Sequence, residues 1–344
     1  MKLLVTGGAG FIGSNFIRHL IAHRDDIEIV NFDKLTYAGN LENLADVSDC
    51  PRYRFVRGDI AEVEALREVI AERFDAVVNF AAETHVDRSI EDAVPFLRTN
   101  VLGTQVLLEA ARQASCPLFV HISTDEVYGS AGPGQGFRED APLNPGSPYS
   151  ASKAAADHLV MAYANTYRLP IVILRCTNNY GPYQFPEKLI PLMIAQALEE
   201  KSLPVYGDGL HERDWLYVED YCRAIEVVLD RGQPGEIYNV GSGALQPNLS
   251  VVGTILRVLG KPESLVRHVE DRPGHDRRYA LDSTKIRGAL GWQPEVTFEE
   301  GIQKTVDWYR KNTGWLARAR SGEYRKYYER HYGQRSETLR SLLR

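Results

Sequence analysis

The stretch VTGGAGFIG at residues 5–13 decides the fold, because it joins a short apolar run to a segment with helical periodicity. Gly8, Gly10 and Gly13 satisfy the pattern G-x-G-x-x-G, and Gly7 gives the related G-x-x-G-x-x-G spacing. Such glycines permit a tight turn and a close backbone approach to a pyrophosphate, which the following helix N-terminus attracts. A tight turn without a ligand is the alternative, but the strand–turn–helix context favours dinucleotide binding.

Apolar runs alternate with helical patterns along the first half of the chain. Most of the runs are continuous, as in a parallel sheet that is covered on both faces. This order predicts an α/β fold with a doubly wound, mostly parallel Rossmann sheet and a smaller α/β substrate-binding lobe. The predicted strands are 2–6, 27–32, 53–58, 76–80, 118–123, 170–175 and 236–240, and two of the predicted helices are 11–22 and 63–74.

The character of the sequence changes after about residue 176, where a stretch rich in Pro, Asn and aromatic residues predicts an ordered loop. We therefore expect an NAD-binding domain over residues 1–177, with a later returning segment near 213–240. Residues 178–330 would mainly form the lobe that binds a nucleotide sugar. Residues 331–344 would form a tail, for which a frayed or surface helix is expected.

The composition excludes several classes of protein. A net charge of −6 argues weakly against nucleic-acid or membrane partners, and no apolar run approaches the ~18 residues that span a bilayer. The four cysteines lie far apart without a C-x-x-C pair, so neither a disulfide framework nor a metal site is predicted. Reduced cysteines and the lack of a signal-peptide pattern point to a cytoplasmic protein.

Asp33 indicates which dinucleotide binds, because it ends the second predicted strand twenty residues after Gly13. An acid at this place accepts the ribose 2′-hydroxyl and repels the 2′-phosphate of NADP. NAD is therefore favoured, with Lys34 as the opposing charge. Asp59 follows the third predicted strand and fits an adenine contact and a solvated turn equally well.

The stretch GSPYSASK at residues 146–153 predicts a helix that begins with Ser147 as N-cap and Pro148 at the first position. Tyr149 and Lys153 then lie on one face. A free tyrosine has a pKa near ~10, but an ammonium group and a helix N-terminus both favour the phenolate. Tyr149 could remove a proton from a substrate hydroxyl, and Lys153 could hold the nicotinamide ribose.

The stretch STDEVYG at residues 123–129 places two carboxylates, Asp125 and Glu126, where a buried strand ends. The residues alone allow a solvated turn or an acid–base pair, and open α/β sheets place ligands at this end of their strands. Neighbouring side chains of an extended strand point to opposite faces, so a shared role requires residues 124–127 to turn.

Taken together, these motifs resemble the extended short-chain dehydrogenase/reductase family. Within it, nearly all of residues 1–330 resemble the dTDP-glucose 4,6-dehydratases. The related 4-epimerases usually lack the Asp-Glu pair, and GDP-mannose dehydratases tend to have Ser-Glu after the threonine. The most specific stretches are DKLTYAGNLENL (33–44), HVDRSI (85–90), STDEVYG, NNYGPYQFPEKLIPL (178–192), RDWLYVEDYCRA (213–224) and DRPGHDRRYALD (271–282).

The resemblance implies NAD-dependent dehydration of dTDP-glucose to dTDP-4-keto-6-deoxy-glucose by a homodimer. Tyr149 would take the C4 hydroxyl proton as a hydride leaves C4 for NAD. Glu126 would remove the C5 proton, Asp125 would protonate the departing C6 hydroxyl, and the hydride would return to C6. Thr124 would bond the 4-hydroxyl and Tyr149, or else the backbone of its own turn.

The resemblance also implies contacts that the sequence alone would assign to packing or loops. Arg213 and Arg272 would hold phosphates, although surface ion pairs are the alternative. The implied cofactor contacts are Gly7, Gly10, Phe11, Ile12, Gly13, Asp33, Lys34, Leu35, Thr36, Asp59, Ile60, Phe80, Ala81, Ala82, Glu83, Thr99, Tyr149, Lys153 and Asn179. The implied substrate contacts are Thr84, Thr124, Asp125, Glu126, Asn178, Lys188, Leu189, Pro204, Val205, Tyr206, Arg213, Asn248, Arg272 and His275.

Two other functions are open on the same fold. A nucleotide-sugar 4-epimerase or decarboxylase would share most motifs, but the Asp-Glu pair speaks against the epimerase. A regulatory protein that senses the dinucleotide would not need Tyr149 and Lys153. The glycine-rich stretch SAGPGQGFRED at residues 130–140 is short for the family, so the rim of the site could differ there.

Overall fold

The structure is a computed structural model that describes residues 1–333 and 335. Its strands are β1 Lys2–Thr6, β2 Glu28–Asp33, β3 Tyr53–Arg57, β4 Ala76–Asn79, β5 Phe119–Thr124, β6 Ile171–Cys176, β7 Asn178–Tyr180, β8 Leu203–Tyr206, β9 Glu212–Tyr217, β10 Ile237–Val240, β11 Leu245–Pro247 and β12 Val266–Val269. Its helices are α1 Phe11–His23, α2 Val63–Ile70, α3 Val86–Glu91, α4 Val94–Phe96, α5 Thr104–Gln113, α6 Pro148–Tyr167, α7 Leu189–Leu198, α8 Val218–Arg231, α9 Asn248–Leu259, α10 Thr284–Leu290, α11 Phe298–Lys311, α12 Thr313–Ala319 and α13 Glu323–Tyr328. Short 3₁₀ turns span Leu41–Leu44, Asp125–Tyr128 and Glu263–Leu265, and π-helical turns span Leu97–Gly103 and Glu329–Gly333.

A seven-stranded sheet forms the central layer, in the order β10-β6-β5-β4-β1-β2-β3, and every neighbouring pair is parallel. The predicted doubly wound sheet is confirmed, and each predicted strand matches within one residue at either end. The strand order reverses at β1, between β2 and β4. The loops after β1 and β4 therefore diverge and leave a crevice at the carboxyl edge of the sheet.

Both faces of the sheet are buried, which explains the continuous apolar runs in its strands. Leu3 and Val5 face one core, which contains Phe16 of α1 and residues of α8. Leu4 faces the opposite core, which contains Leu107 of α5 together with residues of α2 and α6. Alternate side chains of β1 thus enter different cores, as the two-residue period of a strand requires.

The smaller lobe has its own core, formed mainly by α7, α9 and α11. These helices accompany the three-stranded sheet β11-β9-β7 and the parallel pair β8–β12. Of the predicted returning segment near 213–240, β9 lies in this small sheet, whereas β10 joins the central sheet and α8 packs against α1.

Three details differ from the sequence-based expectations or lie beyond them. The predicted helix 63–74 ends at Ile70. Arg73 adopts a left-handed φ of 58°, and a right-handed helix cannot pass through this conformation. The predicted loop after residue 176 contains β7 and runs into α7. Of the predicted tail 331–344, the structure describes residues 331–333, which belong to the π-helical turn Glu329–Gly333, and Arg335; the rest lies outside the described residues. Among the helices of the described chain, none is both long and apolar enough to cross a membrane.

We expect Gly301→Ala to destabilise the smaller lobe. A Cβ at this position of α11 would collide with the hydroxyl of Tyr180, whose ring is fully buried, and overpacking typically costs about 1–3 kcal/mol. Gly253 of α9 is the matched control, because its Cβ would meet no atom within 4 Å. Gly253→Ala should instead stabilise by about 0.5–1 kcal/mol. Urea midpoints measure both, and an unchanged midpoint for Gly301→Ala would contradict the packing described here.

Candidate active site

One cavity of about 410 Å³ extends from the glycine loop along the carboxyl ends of the central strands into the smaller lobe. Every residue proposed above as a cofactor or substrate contact lines this cavity, with the exception of Leu35. Leu35 adopts a left-handed φ of 58° and donates its N–H to Asp33 Oδ1 at 2.8 Å. Leu35 therefore shapes the loop after β2, and its cofactor contact stays a prediction.

The glycine loop fits a pyrophosphate through its backbone. Gly7 has a φ of 70°, and a Cβ on Gly13 would come within 2.6 Å of the Gly7 carbonyl oxygen. Only glycine allows helix α1 to begin so close to the loop. Gly10 is the N-cap and makes no side-chain bond to the first turn, so N–H groups of that turn remain available to an anion in the cavity.

Asp33 holds the glycine loop and also faces the cavity. Its Oδ2 accepts the N–H of Ala9 at 2.9 Å, while burial raises the pKa of its carboxyl group in spite of this bond. Lys34, which also lines the cavity, forms an ion pair with Asp59 at 2.8 Å. The ion pair neutralises the positive charge of Lys34, which would otherwise favour NADP. The local electrostatics therefore favour a free 2′-hydroxyl on the ribose over a 2′-phosphate.

Asp125 and Glu126 lie on a 3₁₀ turn, as a shared role for the two acids would require. Strand β5 ends at Thr124, whose hydroxyl accepts the Glu126 N–H at 3.2 Å and donates to Asp125 Oδ1 at 3.2 Å. The turn Asp125–Tyr128 follows directly, so both carboxyl groups face the same cavity. The predicted turn at 124–127 is confirmed.

Asp125 has the environment of a proton donor. Its side chain is almost entirely buried, and Asp125 Oδ2 has no hydrogen-bond partner in the described structure. Burial raises the pKa of Asp125 well above its ordinary range, and the nearby charge of Glu126 raises it further, while Arg213 opposes the change. A carboxyl group in this state keeps its proton to a higher pH than an ordinary aspartate does.

Tyr149 and Lys153 project from the first turns of α6. The helix begins as predicted, with Pro148 at its first position and a capping box formed by Ser147 and Ser150. The Lys153 ammonium donates to the Ile122 carbonyl at 2.7 Å, and burial lowers the pKa of Lys153 to about 8. The two side chains therefore face the cavity from one rigid element.

The direction of the Tyr149 pKa is opposite to the sequence-based expectation. Burial raises the pKa of Tyr149 well above its ordinary value and the charge of Glu126 adds to this, while a hydrogen bond with Thr124 lowers it in part. The expectation considered only the ammonium and the helix N-terminus and left out desolvation. In the protein alone, Tyr149 is therefore a neutral phenol.

The far end of the cavity presents buried cationic groups. Arg213 is almost fully buried and donates to the backbone carbonyls of Asp276 and Glu212, each at 2.8 Å. Arg272 lies 3.8 Å from Asp87 Oδ2, and its Nε has no partner in the described structure. These positions differ from the surface ion pairs that were the alternative, and they suit an anionic ligand.

Several polar atoms along the cavity wall lack partners within the described part of the chain. Buried polar groups are normally hydrogen-bonded, so such a row indicates groups that a polar ligand satisfies. The set spans the cavity from the central sheet to the smaller lobe, which suits a long ligand or two adjacent ones. It comprises Ser123 Oγ, Asp125 Oδ2, Thr177 Oγ1, Asn178 Oδ1, Asn179 Oδ1, Gln184 Oε1, Trp215 Nε1, Asn248 Oδ1 and Arg272 Nε.

The structure adds cavity residues that the sequence analysis missed. Asp87 and Glu187 lie inside the motif stretches quoted above, so the motifs contained a signal for them, whereas nothing in the sequence singled out Tyr332. Glu187 binds Arg88 at 3.3 Å, and the Arg88 guanidinium lies 4.1 Å from the ring centre of Tyr37. The other missed residues of the cavity include His85, Cys176, Thr177, Gln184, Trp215 and Tyr279.

One group of three residues could offer metal ligands among those that the structure describes. His211, Asp271 and His275 have ligand atoms within 4.8 Å of one another. Burial lowers the pKa of His275, and the positive charges of Arg272 and Arg213 lower it further. The same positive charges disfavour a cation at this place, so we assign no metal to it.

Comparison with known proteins shows which family of proteins this chain is similar to. A family model described as GDP-mannose 4,6 dehydratase matches residues 4–305. A dTDP-glucose 4,6-dehydratase of Shigella flexneri is 51% identical over 96% of this chain and 99% of its own. The corresponding protein of Streptomyces niveus is 52% identical over 92% and 94% of the two chains.

Solved structures agree with these matches. The dTDP-glucose 4,6-dehydratase DesIV from Streptomyces venezuelae, crystallised with NAD bound, is 51% identical with a TM-score of 0.90, covering 93% of this chain and 100% of its own. A UDP-glucose 4-epimerase from Thermus thermophilus in complex with NAD is 35% identical with a TM-score of 0.84, covering 91% and 100%. The similarity therefore extends over both lobes.

We expect Asp125→Asn to stabilise the protein without added nucleotide, and to do so only above acidic pH. Because the folded pKa is raised, the native state binds more protons than the unfolded state, and wild-type stability falls as pH rises above about 4. The amide cannot ionise, so the variant should melt above wild type at pH 8 and close to it near pH 4. Asp25→Asn, at an exposed position, should shift neither melting temperature. An equal shift at both pH values would contradict the assignment of a neutral Asp125.

Proposed function

The chain belongs to the dTDP-glucose 4,6-dehydratase family, and on that premise we propose that Thr124, Asp125, Glu126 and Tyr149 perform the reaction. The protein acts in deoxysugar biosynthesis as a hydro-lyase that converts dTDP-glucose to dTDP-4-keto-6-deoxy-glucose with NAD. The observation that supports these residue roles best is a buried Asp125, whose carboxyl pKa is raised, directly beside Glu126 and in one cavity with Tyr149.

The first step removes the proton of the C4 hydroxyl of glucose. When bound, NAD supplies the hydride chemistry: a hydride leaves C4 for the nicotinamide and later returns to C6. Tyr149 holds the C4 hydroxyl together with Thr124 and takes its proton once a positive charge nearby offsets the burial of the phenol. Lys153 lies one helical turn from Tyr149 and donates a hydrogen bond to the Ile122 carbonyl of β5.

The second step removes water across C5 and C6. A ketone at C4 makes the neighbouring C5 proton acidic, and Glu126 takes this proton as a carboxylate. Asp125 gives its proton to the departing C6 hydroxyl, which is the role of the acid whose pKa is raised. Since the two residues are neighbours on one turn, they reach adjacent carbon atoms of a single sugar.

We propose that the two lobes divide the binding of the two ligands. The glycine loop and α6 belong to residues 1–177, which with α8 and β10 would bind NAD. The remaining part of residues 178–330 would supply Arg213 and Arg272, which hold the diphosphate. Lys188 crosses the boundary by donating to the Thr84 carbonyl at 2.6 Å, so the lobes are joined beside the cavity.

We also propose a homodimer and a cytoplasmic location. An apolar surface lies on the helical stretch from α4 to α5, where Val94, Leu97 and Leu102 are 69%, 53% and 46% exposed, and Tyr167 at the end of α6 is 52% exposed. Large exposed apolar side chains grouped on neighbouring helices suit a self-complementary contact with a second copy. The cysteines of the described chain are unpaired, which suits a reducing compartment.

Incubation of the protein with dTDP-glucose and NAD should give a 4-keto-6-deoxy product without net formation of NADH. The product is measured by its ultraviolet absorbance in alkali and by NMR. UDP-glucose and GDP-mannose tested in parallel measure the preference for the base. Glu126→Gln is the matched control, and we expect it to bind NAD normally but lose about 10²–10⁴-fold in turnover. Recovery of unchanged substrate, or of dTDP-galactose, would refute the proposed reaction, and normal turnover of Glu126→Gln would refute only its role.

Leu97→Glu should convert the dimer to a monomer, because a charge would then be buried at the contact. Leu210→Glu is the matched control: Leu210 is 49% exposed but lies on a loop of the smaller lobe, and its variant should remain dimeric. Sedimentation velocity distinguishes the two states. A monomeric wild type, or a dimeric Leu97→Glu variant, would show that this surface is not the contact.

A further inference from the structure

Tyr279 contacts the base of the elimination, yet the mechanism above gives it no role. Its side chain is 3% exposed and lines the cavity, and its hydroxyl lies 3.4 Å from Glu126 Oε2. The same hydroxyl donates to Asp276 Oδ2 at 2.8 Å. Tyr279 is therefore placed between two carboxyl groups, one inside the cavity and one outside it.

The chemistry leaves a proton on Glu126 between two of its steps. After Glu126 has taken the C5 proton, that carbon must receive a proton again when the hydride returns to C6. A sugar that fills the cavity separates Glu126 from bulk water. Asp276 is half-buried and is not part of the cavity wall, so it offers a connection to solvent on the outer side of Tyr279.

We propose that Tyr279 and Asp276 form a proton relay that connects Glu126 with solvent, an inference that rests on the proposed function. The O–H bond of protonated Glu126 breaks and its proton passes to the Tyr279 oxygen, as the Tyr279 proton passes to the Asp276 carboxylate. Asp276 then releases a proton to water, and Tyr279 remains a neutral phenol. The reverse sequence brings a solvent proton to Glu126 and from there to C5.

The surrounding contacts hold the relay in place. The Arg213 guanidinium lies 4.1 Å from the ring centre of Tyr279 and donates to the Asp276 carbonyl at 2.8 Å. Gly146 leaves room for Asp276, since a Cβ there would come within 3.0 Å of Asp276 Oδ2. Burial and the charge of Glu126 raise the pKa of Tyr279, which disfavours a phenolate and requires the two proton shifts to be concerted.

The relay predicts a change in where the C5 hydrogen of the product comes from. Turnover of ordinary dTDP-glucose in D₂O should give a wild-type product with deuterium at C5. Tyr279→Phe keeps the ring over Arg213 but removes the hydroxyl, so the proton taken by Glu126 should return to C5. We expect the protium fraction at C5, measured by NMR, to rise several-fold, while oxidation at C4 in a single turnover is unchanged.

Two further variants separate proton transfer from a structural effect. Asp276→Asn keeps a hydrogen-bond acceptor beside Tyr279 but cannot take up a proton, so it should also raise the protium fraction. Tyr180→Phe removes a different buried hydroxyl, which bonds the Phe298 carbonyl at 3.2 Å, and it should leave the isotope content at the wild-type level.

The outcomes are distinguishable from failure of the proposed function. A wild-type protein that makes no 4-keto-6-deoxy product would refute the function itself. A wild-type protein that makes the product, with full deuterium at C5 also in Tyr279→Phe and Asp276→Asn, would refute the relay alone. If Tyr279→Phe does not fold, Asp276→Asn decides the question by the same measurement.

Discussion

The ion pair between Arg175 and Asp157 ties together the elements on which the site depends. Arg175 of β6 donates to Asp157 of α6 at 2.8 Å, and both side chains are almost completely buried. The same guanidinium donates to the Tyr128 hydroxyl at 2.7 Å, at the end of the 3₁₀ turn that carries the acids. Burying two charges has a large desolvation cost, which Coulomb attraction and further hydrogen bonds offset only in good geometry. The gain for this protein is a fixed position of α6, with Tyr149, relative to the acid pair.

Burial explains the chemistry of the site as well as its rigidity. Desolvation is the first cause of the raised pKa values of Asp125 and Tyr149 and of the lowered pKa of Lys153. In the protein alone these groups are thus shifted towards their uncharged forms. A cationic nicotinamide ring at this place would favour the phenolate of Tyr149, whereas burial keeps Asp125 shifted towards its protonated form. The order of the proton transfers can then follow from whether the nicotinamide ring carries its positive charge, without any movement of the backbone.

A second set of contacts connects the cofactor end with the smaller lobe. The Arg88 guanidinium lies between the rings of Tyr37 and Tyr327, 4.1 and 4.0 Å from their centres. It also binds Glu187, whose side chain is almost fully buried, at 3.3 Å. Tyr37 follows β2, whereas Tyr327 belongs to α13 near the end of the described chain. Sequence positions almost three hundred residues apart therefore meet next to Glu187 of the cavity wall, where each stabilises the position of the other.

The sequence by itself determined the features that depend on neighbouring residues. The strand bounds follow from the apolar runs. The close approach of the glycine loop to α1 at Gly13 follows from the missing side chain of glycine, and the start of α6 follows from its capping residues. With the contacts that the motif resemblance implied, the named residues make up more than half of the cavity wall. The left-handed φ of Leu35 is not visible in the residue type, so the shape of the loop after β2 came from the structure.

Tertiary structure alone decided the features that depend on distance through space. Tyr279 and Glu126 are 153 positions apart, so no local pattern could reveal their contact. The direction of the Tyr149 pKa depends on how completely the fold removes water from the phenol, and this burial comes from several elements at once. Spacing along the chain therefore determines which groups can react, whereas their charge states and their connection to solvent are decided by packing, because desolvation acts on the assembled fold.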